Sequence, residues 1–187
     1  MRLIDAHKLE IKEFTGHPPP YAILSHRWGR DDEEVAYYEF HLPEVTTRPG
    51  YKKVKNCCSQ AISDGLHYVW VDTCCINKRS SGELPEAINS MCNWYRNAVI
   101  CYTLLEDVYG TEKPTSPRSV FGESTWVARG WILQKLLAPS IAVCFTSVWK
   151  YIGTRVELRS VISTPTVTSI SPNFFVDGDL EKFSMAQ

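Results

Sequence analysis

Residues 68–77 read YVWVDTCCIN, from Tyr68 to Asn77, and the fold turns on how this stretch is taken. Tyr68-Val69-Trp70-Val71 is a short β-branched and aromatic run with the length of a buried strand. It ends in Asp72, Thr73, two adjacent cysteines and Asn77, polar and thiol groups that a buried strand has no ordinary use for. Side chains alternate faces along a strand, so at least one of Cys74 and Cys75 is expected to pack inward.

Working outward, comparable runs flank this one. Tyr21 to Ser25 follows three prolines and stops at SHRWG, as a buried strand feeding a turn at Gly29 does. Val99 to Leu105 is a third run and Ile141 to Phe145 a fourth. Between the first three lie helical patterns. Val54, Cys57 or Cys58, Ala61, Ile62 and Leu66 recur at helical spacing, with Asp64-Gly65 as a stop, and Leu84, Ala87, Ile88, Met91, Tyr95 and Ala98 line one face of a second helix. Asp31 to Glu34 suits the first turn of another helix, where negative charge meets the positive end of the dipole. Trp126 to Leu137 is expected to be helical, and the polar stretch from Glu106 to Ser124 a loop.

Strand, helix, strand, helix, strand with short links predicts right-handed crossovers and a mostly parallel α/β sheet covered by helices. The stretch from Ser163 onward is turn-rich and weakly patterned. Residues 1–153 are expected to form the domain, and 154–187 an irregular C-terminal extension.

The 187 residues carry a formal charge of −1 with the signs interspersed. No overall field favours nucleic acid or an anionic membrane. The N-terminus lacks the apolar core of a signal peptide and no run approaches a membrane span, so the default location is cytoplasmic. Seven cysteines, with no CxxC pair, are most simply reduced and buried, and no metal site is expected.

In open parallel sheets ligands bind outside the carboxyl ends of the strands. That rule gathers Ser25, His26, Trp28 and Gly29 after the first strand, Asp72 and Asn77 after the second, and Glu83 and Glu86 at the start of the next helix. Each has a plain structural explanation: Ser25 and Asp72 as caps, Trp28 and Trp70 as core, Glu83 and Glu86 as helix-end charges, His26 as a satisfied buried group. Two chemistries stay open. Cys74 or Cys75 could attack a carbonyl with His26 as base, or a carboxylate such as Glu83 could stabilise an oxocarbenium-like centre as a glycosidic bond breaks.

YAILSHRWG, YVWVDTCCIN, SSGELPEAINSMCNWYRNAVICYTLLEDV and RGWILQKLLAPS, in that order, resemble the fungal heterokaryon incompatibility (HET) domain over about residues 1–153. The resemblance implies a role in non-self recognition between fungal individuals, ending in programmed death of the fused cell. It also implies self-association and contacts with other incompatibility proteins. The family looks distantly related to Toll/interleukin-1 receptor (TIR) domains, flavodoxin-like α/β modules with helices on both faces of the sheet, some of which cleave NAD with a glutamate on a helix after a central strand. By that likeness Glu83 falls on the glutamate, with Asp72 beside it and Glu86 as a second candidate. Ser25, His26, Trp28, Gly29 and Asn77 would shape the nucleotide pocket, NAD being a substrate rather than a resident cofactor. Where the family reads R-G-W-T-x-Q-E this chain has RGWILQK, placing Lys135 at a usually acidic position. Relatives also continue beyond the point where this chain ends, often into nucleotide-binding and repeat regions.

Overall fold

The computed structural model describes residues 1–109, 124, 135 and 137–159. Seven strands form one sheet: β1 (Arg2–Asp5), β2 (Glu10–Glu13), β3 (Ala22–Ser25), β4 (Tyr68–Trp70), β5 (Ile100–Leu105), β6 (Ala142–Thr146) and β7 (Tyr151–Thr154), in the spatial order β2-β1-β4-β3-β5-β6-β7. The centre, β4-β3-β5-β6, is parallel, and both edges are antiparallel. This is the α/β sheet that the apolar runs predict, with an antiparallel hairpin added at one edge and a single antiparallel strand at the other.

The hairpin β1–β2 is not among the sequence expectations. Its strands, RLID and EIKE, mix charged with apolar residues, and only β1 is largely buried. Edge strands favour such charge because it discourages pairing with other chains. The Asp5 carboxylate holds the turn, accepting the N–H groups of His7 and Lys8 at 3.1 Å each and the Lys12 ammonium at 2.7 Å.

Among the described residues the helices given end to end are α1 (Pro49–Ser63), the single turn α2 (Asp72–Cys75) and α3 (Glu83–Asn97). Proline begins α1, where its missing N–H costs nothing. Gly65, at φ +78°, follows the helix in the left-handed region that glycine tolerates. Gly50 is needed for space: a Cβ there would stand 2.7 Å from the Glu33 carbonyl oxygen. That close approach seats the start of α1 against the segment after β3.

Register fixes the layers. Ile23, Trp70 and Cys101 lie side by side on the face where Trp94 and Tyr95 of α3 pack on Trp70, with ring centroids 5.4 and 6.1 Å away. The next positions along, Leu24 and Tyr102, face the other way, and the Tyr102 hydroxyl donates to Asp64, after α1, at 2.5 Å. The helices α1 and α3 therefore cover opposite faces.

Two expectations are corrected. Asp31 to Glu34 forms turns, followed by two short 3-10 turns at Tyr37–Glu39 and Pro43–Thr47, because no apolar stripe at helical spacing supports a helix there. The strand of YVWVDTCCIN also stops at Trp70. Asp72 to Cys75 coil into α2, all four residues buried, so strand alternation does not decide where Cys74 and Cys75 point. The expected helix at 126–137 and the expected extension 154–187 lie mostly outside the described residues.

Candidate functional site

Where β3 and β4 end side by side, the chain leaves both strands with polar residues. His26 and Trp28 follow β3, and Asp72 opens α2 after β4. Asp72 is 2% exposed, yet both of its carboxylate oxygens are engaged. His26 Nε2 lies 3.1 Å from Oδ1, the Trp28 indole N–H donates to the same oxygen at 3.0 Å, and the Lys135 ammonium donates to Oδ2 at 3.2 Å. Burial opposes ionisation, but the Lys135 charge and the His26 hydrogen bond outweigh it and hold the carboxyl well below the usual carboxylate range. Asp72 is thus an anion enclosed by donors, unsuited to carrying a proton at neutral pH.

His26 extends the network away from Asp72. Because the carboxylate can only accept, Nε2 carries the hydrogen of that bond. The other nitrogen, Nδ1, lies 3.3 Å from the Lys53 ammonium and 3.0 Å from the Arg27 carbonyl oxygen. In the neutral ring Nδ1 accepts from Lys53; in the protonated ring it donates to Arg27. Lys53, on α1, is balanced by Glu34 and by Glu106, the latter at 3.0 Å. Glu34 also accepts the Gly29 N–H at 2.7 Å. One polar file thus runs from Glu106 and Glu34 through Lys53, His26 and Asp72 to Lys135.

A cleft of about 480 Å³ opens beside this file. It is lined by Arg27 to Arg30 and Glu33 from the segment after β3, and by Glu106, Asp107 and Tyr109 from the segment after β5. The cleft lies where the connections of the parallel strands part to opposite sides of β3, the position at which open α/β sheets hold ligands.

The remaining expected residues are elsewhere. Glu83 begins α3 and pairs with the Arg2 guanidinium, one of the two bonds measuring 3.1 Å, and accepts the Asn77 N–H at 2.8 Å. Burial raises its pKa, but the Arg2 bond and the Asn77 N–H prevail and hold it low. Glu83 and Glu86 line a second cleft of about 300 Å³ with Met1, Arg2, Glu13, Trp70, Cys75, Ala87 and Trp94. Asn77 serves the loop before α3, its side-chain oxygen accepting the Arg79 N–H at 3.2 Å. Ser25 is fully buried, and its hydroxyl, like that of Thr103 beside it in the sheet, has no hydrogen-bond partner among the described residues. His26, Trp28 and Asp72 are therefore brought into contact and Gly29 adjoins them, whereas Glu83 and Asn77 belong to a separate network and Glu86 lines the second cleft beside Glu83.

The thiols are sheltered. All seven cysteines are free, and six are buried. Burial pushes Cys58, Cys101 and Cys144 up to about 12 and raises Cys57 and Cys74 as well. Both ring nitrogens of His26 are taken by other groups, so His26 is not placed to act as a base for Cys74. Among the described residues no cluster of three or more His, Cys, Asp or Glu side chains is placed to hold a metal ion. No helix among them is long and apolar enough to cross a membrane.

Lys53, Glu34, Glu106 and Arg2 escaped the sequence reading. Lys53 left a signal: it falls on the apolar stripe of α1 beside Val54, one turn from Gly50 and from Cys57, where a lysine is out of place unless a buried anion meets it. Lys135 was visible as a charge reversal, but its contact with Asp72 was not.

A model of the heterokaryon incompatibility protein (HET) family matches residues 21–115. That span holds Asp72, Lys53, His26 and both sides of the larger cleft up to Tyr109. The vegetative incompatibility protein HET-E-1 of Podospora anserina is 44% identical over 156 residues, which cover 81% of this chain and 12% of that much longer protein. No solved structure matches the chain. With the family model covering more than half of its length, the chain belongs to the heterokaryon incompatibility (HET) protein family.

Proposed function

We propose that this chain is a signalling module of fungal vegetative incompatibility, acting in non-self recognition and leading to programmed death of the fused cell. The observation that carries this reading is the buried Asp72 network. It lies within the family-matched span, and it spends two lysines, a histidine and three carboxylates beside a cleft where an apolar core would be simpler to build. The match to HET-E-1 supports the biological role. The module works in the cytoplasm and associates with itself and with other incompatibility proteins.

The parallel strands run in the order second, first, third, fourth, and this supports the flavodoxin-like and TIR-like reading of the fold. In the same reading NAD is the substrate and Glu83 the group that faces the breaking glycosidic bond. The smaller cleft supports this chemistry: two carboxylates, Glu83 and Glu86, an arginine suited to a pyrophosphate and the Trp94 ring surround one opening. Incubating assembled protein with NAD is expected to release nicotinamide, and Glu83→Gln to slow release by about 10²-fold or more. Absence of product, or turnover unchanged in the variant, overturns the enzymatic part.

A non-catalytic, self-associating module is the second reading, favoured by one observation. Asp72 and Glu83 sit in separate networks, and each carboxylate is already neutralised by a cation. On that reading, substitutions lining the clefts leave cell death intact in a fungal host, while surface substitutions abolish it.

A further inference from the structure

Between α2 and α3 the chain passes Trp28 and Tyr38 as a short loop, and two consecutive cations in it stand over these two aromatic rings. The Lys78 ammonium stands 3.4 Å from the centroid of the Trp28 ring, and the Arg79 guanidinium 3.4 Å from the centroid of the Tyr38 ring. Both rings belong to the segment after β3. Trp28 is held by its edge, through the indole N–H donated to Asp72, and 46% of it is nevertheless exposed. At its start the loop is tied to Glu83 through the Asn77 N–H, and Glu83 is tied to Arg2, whose guanidinium lies 4.2 Å from the centroid of the Tyr37 ring. Loops are usually fastened by backbone hydrogen bonds or apolar packing. This one is fastened to its neighbour by cations on aromatic faces.

We propose that residues 77–82 form a strap, latched by Lys78 on Trp28 and Arg79 on Tyr38, that closes over the Asp72 site and couples it to the Glu83 cleft. Three features support it. The latch contacts are those of partly exposed cation–π pairs, each favouring the closed form by a factor of about 2 to 5, so the strap is held closed but can be opened by modest differential binding. The same loop carries an N–H that Glu83 accepts, so lifting the strap removes a hydrogen bond that helps keep Glu83 ionised. Finally, Trp28 lines the larger cleft and bonds to Asp72, so a ligand that displaces Lys78 from its face acts on the Asp72 file directly. The strap does not depend on which chemistry, if any, the clefts perform.

The test is amide hydrogen exchange read by peptide mass spectrometry on the full chain without ligand. In Lys78→Met/Arg79→Met, which keeps the aliphatic stems and removes both charges, exchange within 77–82 is expected to rise about 5- to 20-fold. Exchange in β3 and β5 should be unchanged, which shows the fold intact. Trp28→Leu/Tyr38→Leu, removing the other halves of the same contacts, should raise exchange at 77–82 in the same way, and Lys78→Arg should retain protection. In the Met/Met variant the Glu83 carboxyl should also titrate higher than in the parent, because the Asn77 N–H that it accepts leaves with the loop. Unchanged exchange at 77–82 in the double variants, loss of protection in Lys78→Arg, or an unmoved Glu83 titration overturns the proposal.

Discussion

Asp72 and Glu83 are two carboxylates close in sequence, each at the start of a helical segment and each paired with a cation, and the comparison between them separates structure from accessibility. Asp72 has a 2% exposed side chain and is enclosed by Lys135, His26 and Trp28; Glu83 is 27% exposed and held by Arg2 and one N–H. Water screens the second pair and not the first. Removing one partner of a buried pair strands the other charge in a poorly polarisable interior, whereas removing a rim partner lets water take its place. The same chemistry is thus an internal strut at one site and an adjustable contact at the other.

The largest expected effect follows at once. Asp72→Ala strands Lys135 and leaves the Trp28 N–H and His26 Nε2 without their acceptor, and should cost about 3–5 kcal/mol in chemical denaturation. A cost below about 1 kcal/mol would show that water reaches Asp72 and that the contrast with Glu83 is false.

The acid response should rank the two in the same way. Both carboxyls have folded-state pKa values below their unfolded ones. The stability each contributes is therefore fully present above the unfolded values of about 4 and is lost as pH falls through that range towards the folded values. A plot of Tm against pH should be flat with respect to both groups between about pH 5 and 7 and fall below about 4. Asp72→Asn should flatten that acid limb more than Glu83→Gln does; equal flattening would mean that the two sites are equally screened.

The smallest effect is expected at the rim. Arg2→Met keeps the stem over Tyr37 and removes the partner of Glu83, and should cost no more than about 1 kcal/mol. A loss as large as that of Asp72→Ala would move the Glu83 pair into the interior.

How much of this was legible beforehand depended on whether a residue's role was local. The central strands announced themselves because parallel strands buried on both faces are continuous apolar runs, as in Tyr21 to Ser25 and Val99 to Leu105. The helices α1 and α3 showed through their 3.6-residue periodicity. The hairpin β1–β2 did not, since Lys12, Glu10 and Glu13 make its edge look like an ordinary charged surface. The acidic run Asp31 to Glu34 misled because a dipole argument was applied without an apolar stripe to support it. Glu34 is used by Lys53 instead.

At the site, the meeting of His26, Trp28 and Asp72 followed from strand ends and the carboxyl-edge rule alone. That Asp72 is a neutralised hub did not, because both lysines that surround the file come from elsewhere: Lys53 from α1, whose buried face it shares with Val54 and Cys57, and Lys135 from a block far along the chain. Glu83 was gathered to the same edge by the same rule, and the resemblance gave it a catalytic role. Its partner, Arg2, is supplied by the hairpin that sequence reading did not find, so its separate network could not be foreseen. YVWVDTCCIN also proved to be three pieces rather than one: a short strand, one helical turn that buries both thiols, and the first residue of the loop that passes Trp28 and Tyr38.

The central claim is that Asp72 and Lys135 form one buried electrostatic unit, and a double-mutant cycle measures it. Stability would be determined by denaturation for the parent, Asp72→Asn, Lys135→Met and the double variant. The predicted result is non-additive, with the double variant recovering about 1–3 kcal/mol relative to the sum of the single losses. Additivity within about 0.5 kcal/mol would contradict the account, because it would mean that the two side chains do not depend on one another in the folded protein.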